Sequence, residues 1–194
     1  MPMKIIILTL LLLGAIFLGL GTFQISKTEI LQNRSLTEAK EKIKYPNNPA
    51  LSTDKNNEPL IGEVIGILKI PAIRGELPII EGTDEDDLEK GVGHFKGSAF
   101  PNEKGQIVLS GHRDTVFRRV GELKIGDLLS ISLASGSYWY QIESTKIVDA
   151  NDRSIITLQK KKEVLTLTTC YPFTFIGNAP DRYIITAKPI KEVK

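Results

Sequence analysis

The chain has 194 residues, with 25 lysines and arginines against 23 aspartates and glutamates, for a formal net charge of +2. That near balance, without any basic cluster interleaved with aromatics, excludes a surface that tracks nucleic acid. One cysteine and two histidines allow no internal disulfide and no Cys/His ligand spacing, and there is no glycine-rich phosphate loop, so no structural zinc, nucleotide or other cofactor is implied.

After a tail at 1–4, residues 5–23 form an uncharged apolar run of nineteen residues, close to the roughly 20 that cross a bilayer. A cleavable signal peptide has a shorter apolar core and ends in a small-x-small site. Gly21-Thr22-Phe23-Gln24 does not supply that site, so the expectation is an uncleaved single-pass anchor. Charge bias leaves orientation open. Lys4 and the amino terminus stand against Lys27, Arg34, Lys40 and Lys42, a count that alone would keep the long domain in the cytoplasm.

Residues 26–44 are polar, with Ile30, Leu31, Leu36, Ala39 and Ile43 at loosely helical intervals, which predicts a juxtamembrane helix. Residues 45–59 are rich in proline, asparagine and charge, the composition of a solvated tether. Residues 24–59 are therefore read as helix plus tether, and 60–194 as a single domain large enough to bury a core.

Within that domain, strand-like runs at 64–70, 75–80, 106–110, 127–133, 138–148, 163–170 and 182–189 are separated by turn signals. One helix is predicted at 84–90, with Thr83 as cap and Gly91 as stop, and a further helical turn at 115–120. The acidic residues 84–87 complement the helix dipole and lack the alternate spacing of a calcium loop, so no metal site is expected. Many short strands with few helices predict an all-β closed barrel with short peripheral helices, preceded by one transmembrane helix.

The lone Cys170 closes the run Leu165-Thr166-Leu167-Thr168-Thr169-Cys170. Alternation along a strand puts Leu165 and Leu167 on one face and Cys170 on the other, more polar one. His112 follows the strand at 106–110, and Arg182 begins the strand after Cys170, so a hairpin through 171–181 brings Cys170 and Arg182 to the same end of the sheet. If 106–110 runs parallel to 163–170, all three side chains meet at one rim. Such a trio suits acyl transfer: cysteine attacks as thiolate, histidine manages the proton, and arginine donates to the oxyanion or the substrate carbonyl. The second histidine, His94, sits between Gly93 and Phe95 and reads as a groove or turn residue, the rival base. Asp114 either orients His112 or caps the following turn, and the cap is favoured.

Leu165-Thr166-Leu167-Thr168-Thr169-Cys170 resembles the threonine-x-threonine-cysteine signature of sortases, the cysteine transpeptidases of bacterial cell envelopes. Arg182 matches that family's following arginine, and Gly111-His112-Arg113-Asp114-Thr115 resembles its histidine motif. Chain length, the amino-terminal anchor and Tyr171-Pro172-Phe173 look most like class D. The resemblance implies an eight-stranded barrel, Cys170 as nucleophile, His112 as general acid/base and Arg182 as oxyanion or substrate stabiliser. It implies a substrate or oxyanion role for Thr169, while Phe173, Phe175 and Ile176 either line a groove for the motif's leucine and proline or anchor their loop. The implied substrate is a secreted protein bearing a carboxy-terminal motif similar to Leu-Pro-x-Thr-Gly or Leu-Pro-x-Thr-Ala. It is cut after threonine, held as a thioacyl enzyme and passed to an amine of the peptidoglycan precursor. That places the catalytic domain on the extracytoplasmic, wall-facing side of the cell membrane. No long insertion precedes residue 106 to serve as the lid of pilin-polymerising sortases, which favours wall anchoring over pilus building. A wall L,D-transpeptidase or hydrolase and a non-catalytic membrane-tethered binding module are the competing readings. In the former the arginine lies close behind the cysteine, whereas here they are twelve residues apart.

Overall fold

The computed structural model describes residues 2–46, 58–175 and 177–191. Most of the expected tether, and Ile176, lie outside the described residues.

Eight strands among the described residues close into a barrel: β1 (Val64–Ile70), β2 (Gly75–Glu81), β3 (Val92–His94), β4 (Gln106–Ser110), β5 (Leu128–Leu133), β6 (Gly136–Asp149), β7 (Val164–Tyr171) and β8 (Asp181–Ile190). Their order around the barrel is β1-β2-β3-β4-β7-β8-β6-β5. Two pairs, β2 with β3 and β4 with β7, are parallel, and the others are antiparallel. The expected strands are found with ends shifted by a residue or two. The missed one is β3, whose Val-Gly-His sequence is too short and too glycine-rich to show alternation.

Inward side chains fill the lumen, among them Leu68, Ile79, Val92, Ile107, Leu109, Ile131, Ile142, Leu165, Leu167 and Ile185, each no more than 2 % exposed. The burial of both Ile67 and Leu68, neighbours that point to opposite faces, shows that β1 is covered outside as well. The cover is α1 (Pro2–Lys44), one unbroken helix where an anchor and a separate juxtamembrane helix were expected. Its Ala39 is fully buried, and together with Leu36 and Ile43 it packs on Val64, Ile67 and Ile80, an i, i+3, i+7 stripe on one helix face. A register shift between Val64 and Gly66 brings Val64 onto the outer face beside Ile67. Ion pairs flank the stripe: Lys27 to Glu89 at 3.0 Å, Lys40 to Glu76 at 2.7 Å and Lys42 to Glu63 at 2.7 Å.

The second helix, α2 (Glu85–Lys90), starts later than predicted. Asp84, and not Thr83, holds the capping position, and its side chain makes no capping bond. The turn expected at 115–120 is a series of hydrogen-bonded turns leading into a 3-10 turn at Val120–Glu122.

Candidate active site

The pairing of β4 with β7 builds the site. Ser110 is the partner of Thr168, and the Gly111 N–H continues the ladder by donating to the Thr168 carbonyl at 3.2 Å. Thr169 points inward, 4 % exposed, and its hydroxyl donates to the Gly111 carbonyl at 2.7 Å. These two bonds hold the start of the 111–119 segment on β7, and His112, the next residue, comes two positions after Ser110 just as Cys170 comes two positions after Ser110's partner Thr168. Across the other edge of β7, Cys170 is the direct antiparallel partner of Arg182. The trio therefore comes from three adjacent strand ends: β4, β7 and β8.

Cys170 carries a free thiol, partly exposed on the outer face. Arg182 is steered by its own chain, since Nη1 donates to the carbonyls of Asp181 at 3.0 Å and Ala179 at 3.2 Å. It forms no ion pair with Asp181, Asp114 or Glu163 among the described residues. Glu163 instead accepts the Tyr140 hydroxyl at 2.6 Å, at the opposite end of β7. A guanidinium anchored through one nitrogen by carbonyls keeps its charge and its remaining N–H groups for another acceptor.

The turn after His112 is tight. The His112 carbonyl accepts from the Phe117 N–H at 3.0 Å, and Phe117 is fully buried. Gly111 makes room for this approach, because a Cβ there would lie 2.7 Å from the Phe117 ring and 2.8 Å from Val116 and would push those side chains aside. Asp114 is exposed, and its main-chain carbonyl accepts from the Arg118 guanidinium. Arg113, which sequence reasoning passed over, donates from Nη2 to the carbonyls of Phe175 at 2.6 Å and Gly177 at 2.7 Å. It fastens the loop behind Cys170 to the segment that carries His112. Its position beside the candidate base was the only signal in the sequence.

The two phenylalanines separate. Phe173 packs on Tyr171 and Tyr183 with ring centroids 5.7 and 5.4 Å away, and against Gly121, so it anchors its loop on the barrel. Phe175 is 45 % exposed.

His94 is neither in a groove nor in a turn. It lies on β3 at 2 % exposure, with Nδ1 2.7 Å from Glu81 Oε2 and Nε2 2.9 Å from Ser98 Oγ. Glu81 and Ser98 are themselves buried, so this network cross-links β2, β3 and the loop toward β4 inside the barrel wall. A cavity of about 620 Å³ lies at the pole away from Cys170, lined by Tyr45, Glu63, Phe100, Leu133 and Tyr138 among others, and includes none of the trio. Among the described residues no group of three or more His, Cys, Asp or Glu side chains is placed to hold a metal ion.

A family model described as a sortase domain matches residues 68–190, which is more than half of the chain. The chain belongs to the sortase family. It is 53 % identical over 195 residues to Sortase D of Bacillus subtilis (strain 168), covering 96 % of this chain and 98 % of that one. Among solved structures, the Sortase D5 transpeptidase of Clostridium perfringens superposes with a TM-score of 0.71 at 29 % identity, covering 83 % of this chain and 99 % of that one. The fold is also that of Clostridium perfringens sortase C with the C-terminal cell wall sorting motif, at a TM-score of 0.65 and 24 % identity, covering 86 % of this chain and 91 % of that one. This sortase is a cysteine transpeptidase of class D, a β-barrel enzyme that breaks a peptide bond and transfers the acyl group. Sortases act on proteins carrying a carboxy-terminal sorting motif. The apolar helix at its amino terminus has the length and composition of a membrane anchor, with a mean hydropathy of 2.6 over its most apolar window.

Proposed function

We propose that this sortase cleaves a Leu-Pro-x-Thr-Gly or Leu-Pro-x-Thr-Ala motif after threonine and joins the threonine to an amine of the peptidoglycan precursor. The observation that carries the reading is the pairing of Cys170 with Arg182 on neighbouring strands, with Gly111, the residue before His112, bonded to Thr168 and Thr169 just ahead of Cys170. In the first half, the Cys170 thiolate attacks the threonine carbonyl carbon, and the negative charge that gathers on its oxygen is met by Arg182 N–H groups. The C–N bond breaks as His112 gives its proton to the departing amine, leaving a thioester on Cys170. In the second half, an acceptor amine attacks the thioester, its proton passes to His112, and the thiolate leaves. Thr169 acts through the Gly111 bond by holding His112 in place, and Phe175, exposed on the loop behind Cys170, meets the apolar part of the motif. The anchor spans residues 5–23, the barrel begins near residue 60, and the catalytic domain lies outside the membrane, where secreted clients and the wall precursor are found.

The test is turnover by the full chain in detergent. Quenched peptides bearing each motif are offered with and without an amine acceptor, and products are read by mass spectrometry beside Cys170→Ala, His112→Ala and Arg182→Ala. Cleavage after threonine, an acceptor-dependent ligation product and loss in all three variants are expected. Absence of turnover with either motif overturns the specificity.

A further inference from the structure

We infer that α1 and the barrel form one rigid body whose α2, β3 and β4 side faces the bilayer, so that the catalytic rim opens along the membrane surface. The inference rests on the reading of residues 5–23 as a span. The bilayer is the partner of this face, and α1 is what sets its distance.

The helix does not stop where the apolar run does. From Phe23 it continues without a break to Lys44, and at 1.5 Å per residue Lys27 stands about 6 Å beyond the end of the run, Gln32 about 14 Å and Lys42 about 28 Å. Each level touches a different part of the barrel. Lys27 pairs with Glu89 of α2 at 3.0 Å, and the Gln32 amide donates to the Glu89 carbonyl at 3.5 Å. Higher up, Lys40 pairs with Glu76 of β2 at 2.7 Å, and Lys42 reaches Glu63 at 2.7 Å and the Val64 carbonyl at the start of β1 at 2.9 Å. Between them Ser35 and Ala39 are buried against the barrel. Contacts spread over about 22 Å of helix leave no hinge about which the barrel could swing.

The order of these contacts gives the orientation. Going away from the bilayer the helix passes α2, then β2, then β1, so it crosses the strands and does not run along them. Continuing around the closed barrel from β2 toward the bilayer come β3, then β4, then β7. The strands that carry His112 and Cys170 thus lie in the half nearer the membrane, while β1, β5 and β6 lie in the far half. Because the strands cross the helix, their ends point along the surface. The near side carries no single sign of charge, since α2 exposes Glu85 and Asp86 while the connection from β3 to β4 exposes Lys96 and Lys104. Its position follows from α1 alone.

The test places single labels on the full chain in a Cys170→Ala background, at Asp86→Cys on the near side and Ala134→Cys on the β5–β6 turn of the far side. The protein is reconstituted in phosphatidylcholine vesicles containing a headgroup quencher. Quenching several-fold stronger at position 86 than at 134 is expected. Seven helix-forming residues inserted after Gln24 add two turns and lift the barrel by about 10 Å with little rotation, and should abolish most of that difference. Equal quenching at the two positions, or quenching at 86 that the insertion leaves unchanged, overturns the inference. The readout needs no catalysis, so it stands or falls separately from the motif specificity. A second arm uses wild-type Cys170. The insertion should leave turnover of a soluble motif peptide unchanged and depress turnover of the same peptide anchored in the vesicle through a lipid chain; equal turnover of the anchored peptide with and without the insertion also counts against it.

Discussion

The Thr169 hydroxyl offers the sharpest check on how the site is assembled. It is buried, and it donates to the buried Gly111 carbonyl at 2.7 Å, which is one of two bonds that hold Gly111, the residue before His112, on β7. Thr169→Val keeps the shape and removes the donor. The lost bond and the carbonyl left without its partner together cost about 2 kcal/mol. With an unfolding entropy near 2.1 cal/mol/K per residue, a barrel of about 130 residues loses about 7 °C in Tm for that change. Thr169→Ser keeps the donor and gives up one methyl, about 0.8 kcal/mol. Thermal unfolding of the full chain in detergent should therefore rank wild type above Ser above Val. Peptide turnover per folded enzyme should fall further for Val than for Ser, because the segment leading into His112 is released only in Val. A Val variant as active and as stable as wild type would refute the claim that this bond positions His112.

Three more outcomes follow from the same geometry. Gly111→Ala drives a methyl to 2.7 Å from the Phe117 ring and should lower stability by about 1–3 kcal/mol, read by the same unfolding assay, with turnover falling as the segment shifts. His94→Ala leaves Glu81 buried without its partner at 2.7 Å and should cost about 1–3 kcal/mol, yet the fraction that stays folded should still acylate Cys170, which intact-protein mass spectrometry measures. Glu76 is held below its ordinary value of 4.5, chiefly by the hydrogen bond from Lys40. A carboxylate depressed in the folded state contributes stability above its unfolded value that is lost as pH falls through the folded one. Docking of α1 on β2 should thus weaken as pH drops below 4.5, and Glu76→Gln should remove part of that acid sensitivity; the pair is half exposed, so the effect stays below about 1 kcal/mol. Acid titration of the distance between a label on α1 and one on β2 checks it.

The chemistry was more legible in the sequence than the architecture around it. Cys170 and Arg182 flank one loop, so a hairpin alone brings them together, and the apolar runs on either side fix the register. The parallel pairing of β4 with β7, which sequence could offer only as a condition, is what brings the start of the His112 segment alongside the end of β7. The continuity of α1 was hidden because residues 5–23 and 26–44 differ in polarity, though the backbone does not change between them. Only the barrel explains why Ala39 is apolar and small at that position. His94 misled for the opposite reason: its glycine neighbours suggest an open loop, whereas Gly93 is there because a Cβ would lie 2.3 Å from the Gly82 carbonyl. Arg113 left no sign beyond its place next to His112, since its partners are main-chain carbonyls sixty-two and sixty-four residues away.

The most direct measurement of the central claim is the intact mass of the full chain after brief exposure to a sorting-motif peptide without acceptor, followed by peptide mapping. One adduct with the mass of the peptide through its threonine is expected, located on Cys170, absent in Cys170→Ala and released by an added amine. Cleavage that proceeds with no adduct on Cys170, or that persists in Cys170→Ala, would contradict it.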